Sequence, residues 1–129
     1  MTSWTIEVLD KIGKADELQI ASMRRDGSLR QPVTIWVVRV DDSLFIRAFK
    51  GRDGPWFRGA LTRHAGHIRS GGVSKDVSFV EESDPALNDR VDRAFRTKYG
   101  HYDKQYVDPM VTAQARAATI RLVPLAVDK

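Results

Sequence analysis

The run Val33-Thr34-Ile35-Trp36-Val37-Val38-Arg39-Val40 constrains this chain more than any other segment. At the two-residue period of a strand, Val33, Ile35 and Val37 share one face. Thr34, Trp36, Val38 and Val40 share the other. A strand apolar on both faces must be covered on both, as in the wall of a barrel or beneath a helix. Asp41-Asp42-Ser43 then turns the chain into a second strand, Leu44 to Lys50. The two form the clearest hairpin in the sequence.

The flanking segments extend this pattern. Thr5 to Lys14 reads as a short helix with Val8, Leu9 and Ile12 on one face. Glu17 to Met23 alternates as a strand and ends at the Asp26-Gly27 turn signal. Pro55 suits the first turn of a helix, in which Trp56, Phe57, Ala60 and Leu61 recur at helical spacing until Gly66. Ile68 begins a short strand, Gly71-Gly72 turns the chain, and Val73, Val77 and Phe79 mark another strand. Asp84-Pro85 opens the best-formed helix, with Asp84 as N-cap. Its buried stripe is Leu87, Val91, Ala94 and Phe95. Asp89 with Arg93, and Asp92 with Arg96, are spaced as exposed pairs worth about 0.2–0.5 kcal/mol each. After Gly100 an irregular segment, 101–114, leads to a last strand, Ala118 to Leu125. The expectation is an α+β fold: an antiparallel split β-barrel of about six strands with two or three flanking helices. It forms one domain, 1–129, since no repeat or linker divides the 129 residues.

Composition narrows the class. No apolar run approaches the roughly 20 residues that span a bilayer, and Met1-Thr2-Ser3-Trp4 has no secretory-signal pattern. There are no cysteines, which removes disulfides and thiolate sites. A cytoplasmic protein is expected. The net charge is +4, and its placement is uneven. Arg47, Lys50, Arg52, Arg58, Arg63 and Arg69 face the single acid Asp53, so a 23-residue stretch carries the whole excess. Such focusing points to an anionic partner.

That stretch includes a glycine-containing loop, Gly51 to Gly54, feeding a helix N-terminus. Such an elbow offers backbone N–H groups and a positive dipole end to an anion. Lys50, Arg52 and Arg58 surround it, and Phe49 and Trp56 offer flat surfaces for a ring. Other constellations are weaker. His64 and His67 have no acid near them in sequence, so they read as surface histidines and no metal site is expected. Tyr99, His101, Tyr102, Asp103 and Tyr106 form a polar-aromatic cluster that would suit a loop closing over a pocket. No Ser-His-Asp order, P-loop or dinucleotide fingerprint is present.

The run PVTIWVVRVDDSLFIRAFKGRDGPWFRGALTRHAGHIRSGG, with the later FRTKYGHY and ARAATIRLVP, resembles an uncharacterised bacterial domain-of-unknown-function family of the DUF2255 type. More distantly, the order of hairpin, loop, Trp-bearing helix and strand is similar to split β-barrel proteins that bind flavin mononucleotide (FMN) or the deazaflavin F420. The resemblance implies that Lys50, Gly51, Gly54 and Trp56 handle a cofactor phosphate and its surroundings, and Arg58, in the first turn of the helix, joins them as a cofactor-binding candidate from its position alone. It implies that Thr34, Trp36 and Arg47 line the ring, in a homodimer with the cofactor between subunits. No catalytic residue is assigned, and Tyr102 is the one candidate for a proton donor. Where flavin-type oxidases show a Ser-Arg-Lys-like cluster, this chain has Arg52-Asp53-Gly54, and Asp53 brings a negative charge. The expected function is therefore a flavin- or F420-dependent oxidoreductase acting on a small molecule. The alternatives are a cofactor-free protein or enzyme using the same pocket, and, further off, a nucleic-acid-binding module.

Overall fold

The computed structural model describes residues 3–125, so Met1 and Thr2 of the N-terminal pattern lie outside the described residues. In chain order the elements are α1 (Ile6–Lys14), β1 (Leu18–Ser22), β2 (Val33–Ile35), β3 (Val38–Val40), β4 (Ser43–Arg47), α2 (Pro55–Arg63) and β5 (Ala65–Ser70). There follow β6 (Val73–Glu81), α3 (Pro85–Tyr99), α4 (Lys104–Val107), α5 (Ala113–Arg116) and β7 (Thr119–Pro124). Short 3-10 turns occupy Gly51–Asp53 and Asp108–Val111. The fold is α+β, as expected. Its seven strands form one antiparallel sheet in the order β2-β1-β5-β6-β7-β4-β3.

The extra strand comes from the Val33–Val40 run, which is two strands rather than one. β2 pairs with β1 at one edge of the sheet, and β3 pairs with β4 at the other. Only Trp36 and Val37 join them. Two linking residues let Ile35 and Val38 lie at most about 11 Å apart. The edges of a flat seven-stranded sheet would be separated by roughly 29 Å. The sheet must therefore curl until its edges meet, which makes a split barrel.

From Ile35 onward both faces of the run are covered, as its pattern requires, while Val33 and Thr34 at its start stay exposed. Ile35 and Val37 join the barrel interior with Leu18, Ile20, Leu44, Ile46, Ile68 and Phe79. Trp36, Val38 and Val40 join a second core with Phe45, Val91, Phe95 and Tyr99, beneath α3. Thr5 caps α1 by accepting from the Val8 N–H, and Asp84 caps α3 by accepting from the Leu87 N–H.

Three local expectations are corrected. α2 ends at His64, which adopts φ 54°, and not at Gly66. Gly66 instead lies in β5, where any Cβ would collide with the Ala21 carbonyl oxygen and the Phe79 ring. The buried stripe of α3 is Asn88, Val91, Phe95 and Tyr99, with Leu87 and Ala94 only packed against its margin. The spaced pairs on α3 do not form. Asp92 binds Arg47 and Arg116, Asp89 binds Arg116, and Arg96 binds Asp108.

Arg47 explains the last correction. Its side chain on β4 is fully buried, so every donor needs a partner. Nε donates to Thr119 Oγ1 of β7 at 2.9 Å. One terminal nitrogen donates to Asp92 Oδ1 and, at 3.0 Å, to the Met110 carbonyl. The other donates to the Asn88 carbonyl at 3.1 Å and Asn88 Oδ1 at 2.9 Å. All five N–H groups are satisfied, and the guanidinium lies 5.6 Å from the Phe95 ring centroid. Burial pulls the Arg47 pKa down, and the bond to Asp92 opposes that shift. A charge this deep recruits its carboxylate from the helix that covers it, at the expense of a weak surface pair.

The break between β2 and β3 also needs hydrogen-bond partners, because Val37 has none on a neighbouring strand. α3 supplies them. The Val37 N–H donates to Tyr99 Oη at 3.2 Å, and Lys98 Nζ donates to the Val37 carbonyl at 2.7 Å. Tyr99 Oη in turn donates to the Asp16 carbonyl at 2.8 Å. Burial holds the Tyr99 hydroxyl well above its ordinary pKa and lowers the Lys98 ammonium from 10.5 to about 8, with Asp16 acting against the latter shift.

Two outcomes follow for stability. Arg47→Met removes the fully buried cation at the centre of this network and should cost about 3–5 kcal/mol in urea unfolding; a loss below 1 kcal/mol would show that the network is dispensable. Lys98 binds its proton less tightly when folded than when unfolded, so stability should rise as pH climbs from about 8 towards 10. Above 10 the folded Tyr99 keeps a proton that the unfolded chain loses, so its contribution has the opposite sign. The rise between pH 8 and 10 should be absent from Lys98→Met in the same unfolding series.

Candidate functional site

A cavity of about 300 Å³ opens where the curled sheet edge meets the segment after α3. Val33, Thr34, Ile35 and Trp36 line one wall, with Arg47 and Phe49 from the end of β4 and beyond it. Trp56 of α2 closes one end, and Gln105, Tyr106, Pro109 and Met110 form a cover. Most of this surface is apolar or aromatic, which suits a flat ring. The cover belongs to the polar-aromatic 101–114 segment, folded into α4 and a 3-10 turn.

The structure brings six of the residues singled out in the sequence, Thr34, Trp36, Arg47, Phe49, Trp56 and Tyr106, to this one cavity. Their chemical roles differ. Trp36 stacks on Tyr99 at 3.9 Å between ring centroids, nearly parallel, which fixes its orientation. Arg47 lines the wall, but its five donors are spent within the protein. It therefore has no N–H left for a ligand.

The loop from Lys50 to Gly54 does not make the anion cradle expected of it. The Gly51 N–H donates to the Ala48 carbonyl, and the Gly54 N–H donates to the Gly51 carbonyl. Gln114 of α5 lies over the elbow and donates through Nε2 to the Lys50 carbonyl at 2.5 Å. Arg52 is bound to Glu81 at 2.6 Å and to the Ala117 carbonyl at 3.0 Å. Gly54 does cap α2 without a side-chain acceptor. Lys50 is exposed, with Nζ 5.9 Å from the Phe49 ring centroid, which sets it beside the mouth of the cavity. Arg58 is exposed on α2 and lines a different groove, with Arg30, Pro55, Gly59 and Thr62.

Tyr102 packs against Trp36, at 5.5 Å between centroids, and does not line the cavity; Tyr106 does. The sequence flagged both phenols, and the short α4 helix decides which of them reaches the rim of the cavity. Gln105, Pro109 and Met110 carried no signal of their own, because their position depends on the Met110 carbonyl being tied to Arg47. The six cations between 47 and 69 do not form a stripe. Arg47 is buried, Arg52 pairs with Glu81, Arg63 binds the Arg25 carbonyl, and Arg69 sits on the outer face of β5. Among the described residues no helix is long and apolar enough to cross a membrane.

The family described as "Uncharacterized protein conserved in bacteria (DUF2255)" matches residues 8–122. The chain belongs to this family. No curated protein matches it at a significant level. Among solved structures it is similar to the heme storage protein HutZ from Vibrio cholerae, at 14% identity and a TM-score of 0.66, covering 94% of this chain and 89% of that one. It is similar to an F420-H2 dependent reductase, at 14% identity and a TM-score of 0.61, covering 84% and 93%. A FAD-binding protein from Mesorhizobium loti is similar at 13% identity and a TM-score of 0.61, covering 96% and 92%. At these identities the likeness shows the fold: this DUF2255 chain is a split barrel.

The filled elbow has a testable signature. Gly51 has φ 81°, and an added Cβ would lie 2.5 Å from Gln114 Cγ. Gly51→Ala should destabilise the DUF2255 chain by more than about 1 kcal/mol. Adding Gln114→Ala should restore only part of that, since the backbone strain remains. Full recovery in thermal unfolding would mean that the clash alone mattered.

Proposed function

We propose that the cavity bounded by Thr34, Trp36, Phe49, Trp56, Tyr106 and Met110 binds a planar heteroaromatic ring of the flavin or deazaflavin class. The observation that carries this reading is the cavity itself: it is apolar, aromatic-walled and about 300 Å³ in volume. That is the lower end of the range for small-molecule pockets, about 300–1,000 Å³. A tricyclic ring fits such a space, and a ribityl or longer tail must leave through the mouth. A bound flavin or F420 would supply hydride transfer to or from a small-molecule substrate. The chain's own residues would orient the ring between Trp36 and Trp56, offer the Thr34 hydroxyl at its edge and exclude water with Tyr106 and Met110. Lys50 would meet the anionic tail outside. Arg47, Gly51 and Gly54 would serve by building the wall and the turn. Arg58, in the next groove, would reach only a longer tail.

Three apolar side chains gather at the mouth with large exposure: Val33 at 38%, Phe49 at 53% and Tyr106 at 57%. Such a patch beside a ligand site is costly to leave in water. In our reading a second copy of the chain covers it, giving a homodimer with the ligand near the interface.

The occupied elbow favours a second reading, in which the ligand is a planar aromatic molecule without a phosphate and no redox cofactor is kept. One titration separates the two. Intrinsic tryptophan fluorescence should fall as FMN, riboflavin or F420 is added, because Trp36 and Trp56 line the site. FMN should bind more tightly than riboflavin, and Lys50→Gln should erase that difference. Equal affinities for FMN and riboflavin in the unmodified protein would favour the phosphate-free reading. No fluorescence change with any of the three would overturn the ring site.

A further inference from the structure

The opposite face of the sheet carries an arrangement that sequence order hid. β5 and β6 pair across the Gly71-Gly72 turn with Ser70 opposite Val73, Arg69 opposite Ser74 and His67 opposite Asp76. On the outer face, His67 Nδ1 lies 2.8 Å from Asp76 Oδ1, and His67 Nε2 lies 2.6 Å from Ser74 Oγ. The histidine that had no acid near it in sequence thus has one directly across the ladder. A carboxylate can only accept, so Nδ1 carries the proton that binds Asp76. In the neutral imidazole Nε2 is then an acceptor, and the Ser74 hydroxyl donates to it. This is the hydrogen-bond order of a nucleophile, a general base and the carboxylate that orients it.

The reactive end faces a space. Ser74 and His67 line a cleft of about 360 Å³ between the sheet and the chain that turns back before β2, with Leu29, Pro32, Arg30 and Arg69. The two guanidiniums make the cleft cationic, and Leu29 and Pro32 give it a short apolar wall. A carbonyl oxygen that gains negative charge beside Ser74 would meet Arg69, its cross-strand neighbour.

The geometry points to Ser74, His67 and Asp76 as a second functional site, an acyl-transfer centre for small carboxylic esters that bear a negative charge. Ser74 Oγ bonds to the ester carbonyl carbon while its proton passes to His67 Nε2. Collapse of the tetrahedral adduct breaks the bond to the leaving oxygen, which departs with that proton. Water then attacks the acyl-serine with His67 as base, releasing the carboxylic acid and restoring the Ser74 hydroxyl. Asp76 is a positioning residue, which holds the imidazole tautomer and balances the imidazolium. Nothing in this centre uses the ring cavity, and the two sites stand or fall separately.

The full-length protein would be incubated with 4-nitrophenyl acetate and with the monoanionic 4-nitrophenyl succinate. Nitrophenolate release would be followed by absorbance, and the modified residue found by peptide mass spectrometry. Ser74 should carry the acyl group, with the succinate ester reacting faster than the acetate. Ser74→Ala should abolish that label, and His67→Asn should slow release by about tenfold or more. Asp76→Ala should slow it as well, with partial rescue in Asp76→Glu, a pattern that mere packing would not give. Ser74 and Asp76 are exposed, and circular dichroism would confirm that their variants fold. Acyl groups found only on lysines, or release unchanged in folded Ser74→Ala, would overturn the assignment.

Discussion

A single buried guanidinium holds the architecture to its site. The Arg47 side chain rises from β4 and is fully buried, so its five donors must find acceptors within the protein. Those acceptors come from α3, β7 and the 3-10 turn at Asp108–Val111, so one side chain fixes four separate parts of the chain. The Met110 carbonyl is among them. Fixing it places Pro109 and Met110 over the cavity and brings Gln105 and Tyr106 with them. The cavity's cover is therefore held by the same charge that its wall conceals. Arg116 then binds the other oxygen of Asp92, so α5 is tied to the network too. Gln114, on that short helix, fills the elbow at Gly51.

Curling the sheet creates a second obligation. Because Trp36 and Val37 carry the chain from one sheet edge to the other, they leave the ladder, and Val37 must bond elsewhere. Lys98 and Tyr99 meet it from α3, and Tyr99 also stacks on Trp36. The same corner contributes Trp36 to the cavity. Barrel closure, helix docking and the aromatic wall are thus one construction. A change that loosened Tyr99 would be felt in the cavity wall through the tilt of Trp36.

Much of this was legible in the chain. The alternation of Val33–Val40 correctly put Ile35 and Val37 on one covered face and Trp36, Val38 and Val40 on the other, and Asp84 with Pro85 marked the start of α3. What the pattern left out was the break at Trp36–Val37. Strand periodicity continues unchanged through it, and only the pairing partners of each half reveal it. Charge counting failed for a physical reason. It tallies cations without their counter-ions, and Arg47 and Arg52 find theirs in Asp92 and Glu81, 45 and 29 residues away. The helix-spacing rule failed on Asp92 by magnitude. An exposed pair is worth about 0.2–0.5 kcal/mol, whereas leaving a buried charge unpaired costs about 3–5 kcal/mol, so the carboxylate turned inward. Cavity-lining residues from the hairpin and α2 were recognisable. Those supplied by 105–110 were not, since their placement depends on Arg47.

The outer site was nearer to being readable than its absence from any linear motif suggests. Once Gly71-Gly72 is accepted as a two-residue turn, Ser70 must face Val73, and every pair outward follows by counting. His67 then faces Asp76 and Arg69 faces Ser74 without any coordinates. Alternation decides which side they share. In β5 the residues Gly66, Ile68 and Ser70 are buried, and in β6 Val77 and Phe79 are, which leaves His67, Ser74 and Asp76 together on the solvent side. One hairpin therefore serves two ends at once: its inward residues close the barrel, and its outward ones form a hydrogen-bonded relay. Because the two sets alternate along the same strands, the relay can change its chemistry while the core beneath it keeps its packing.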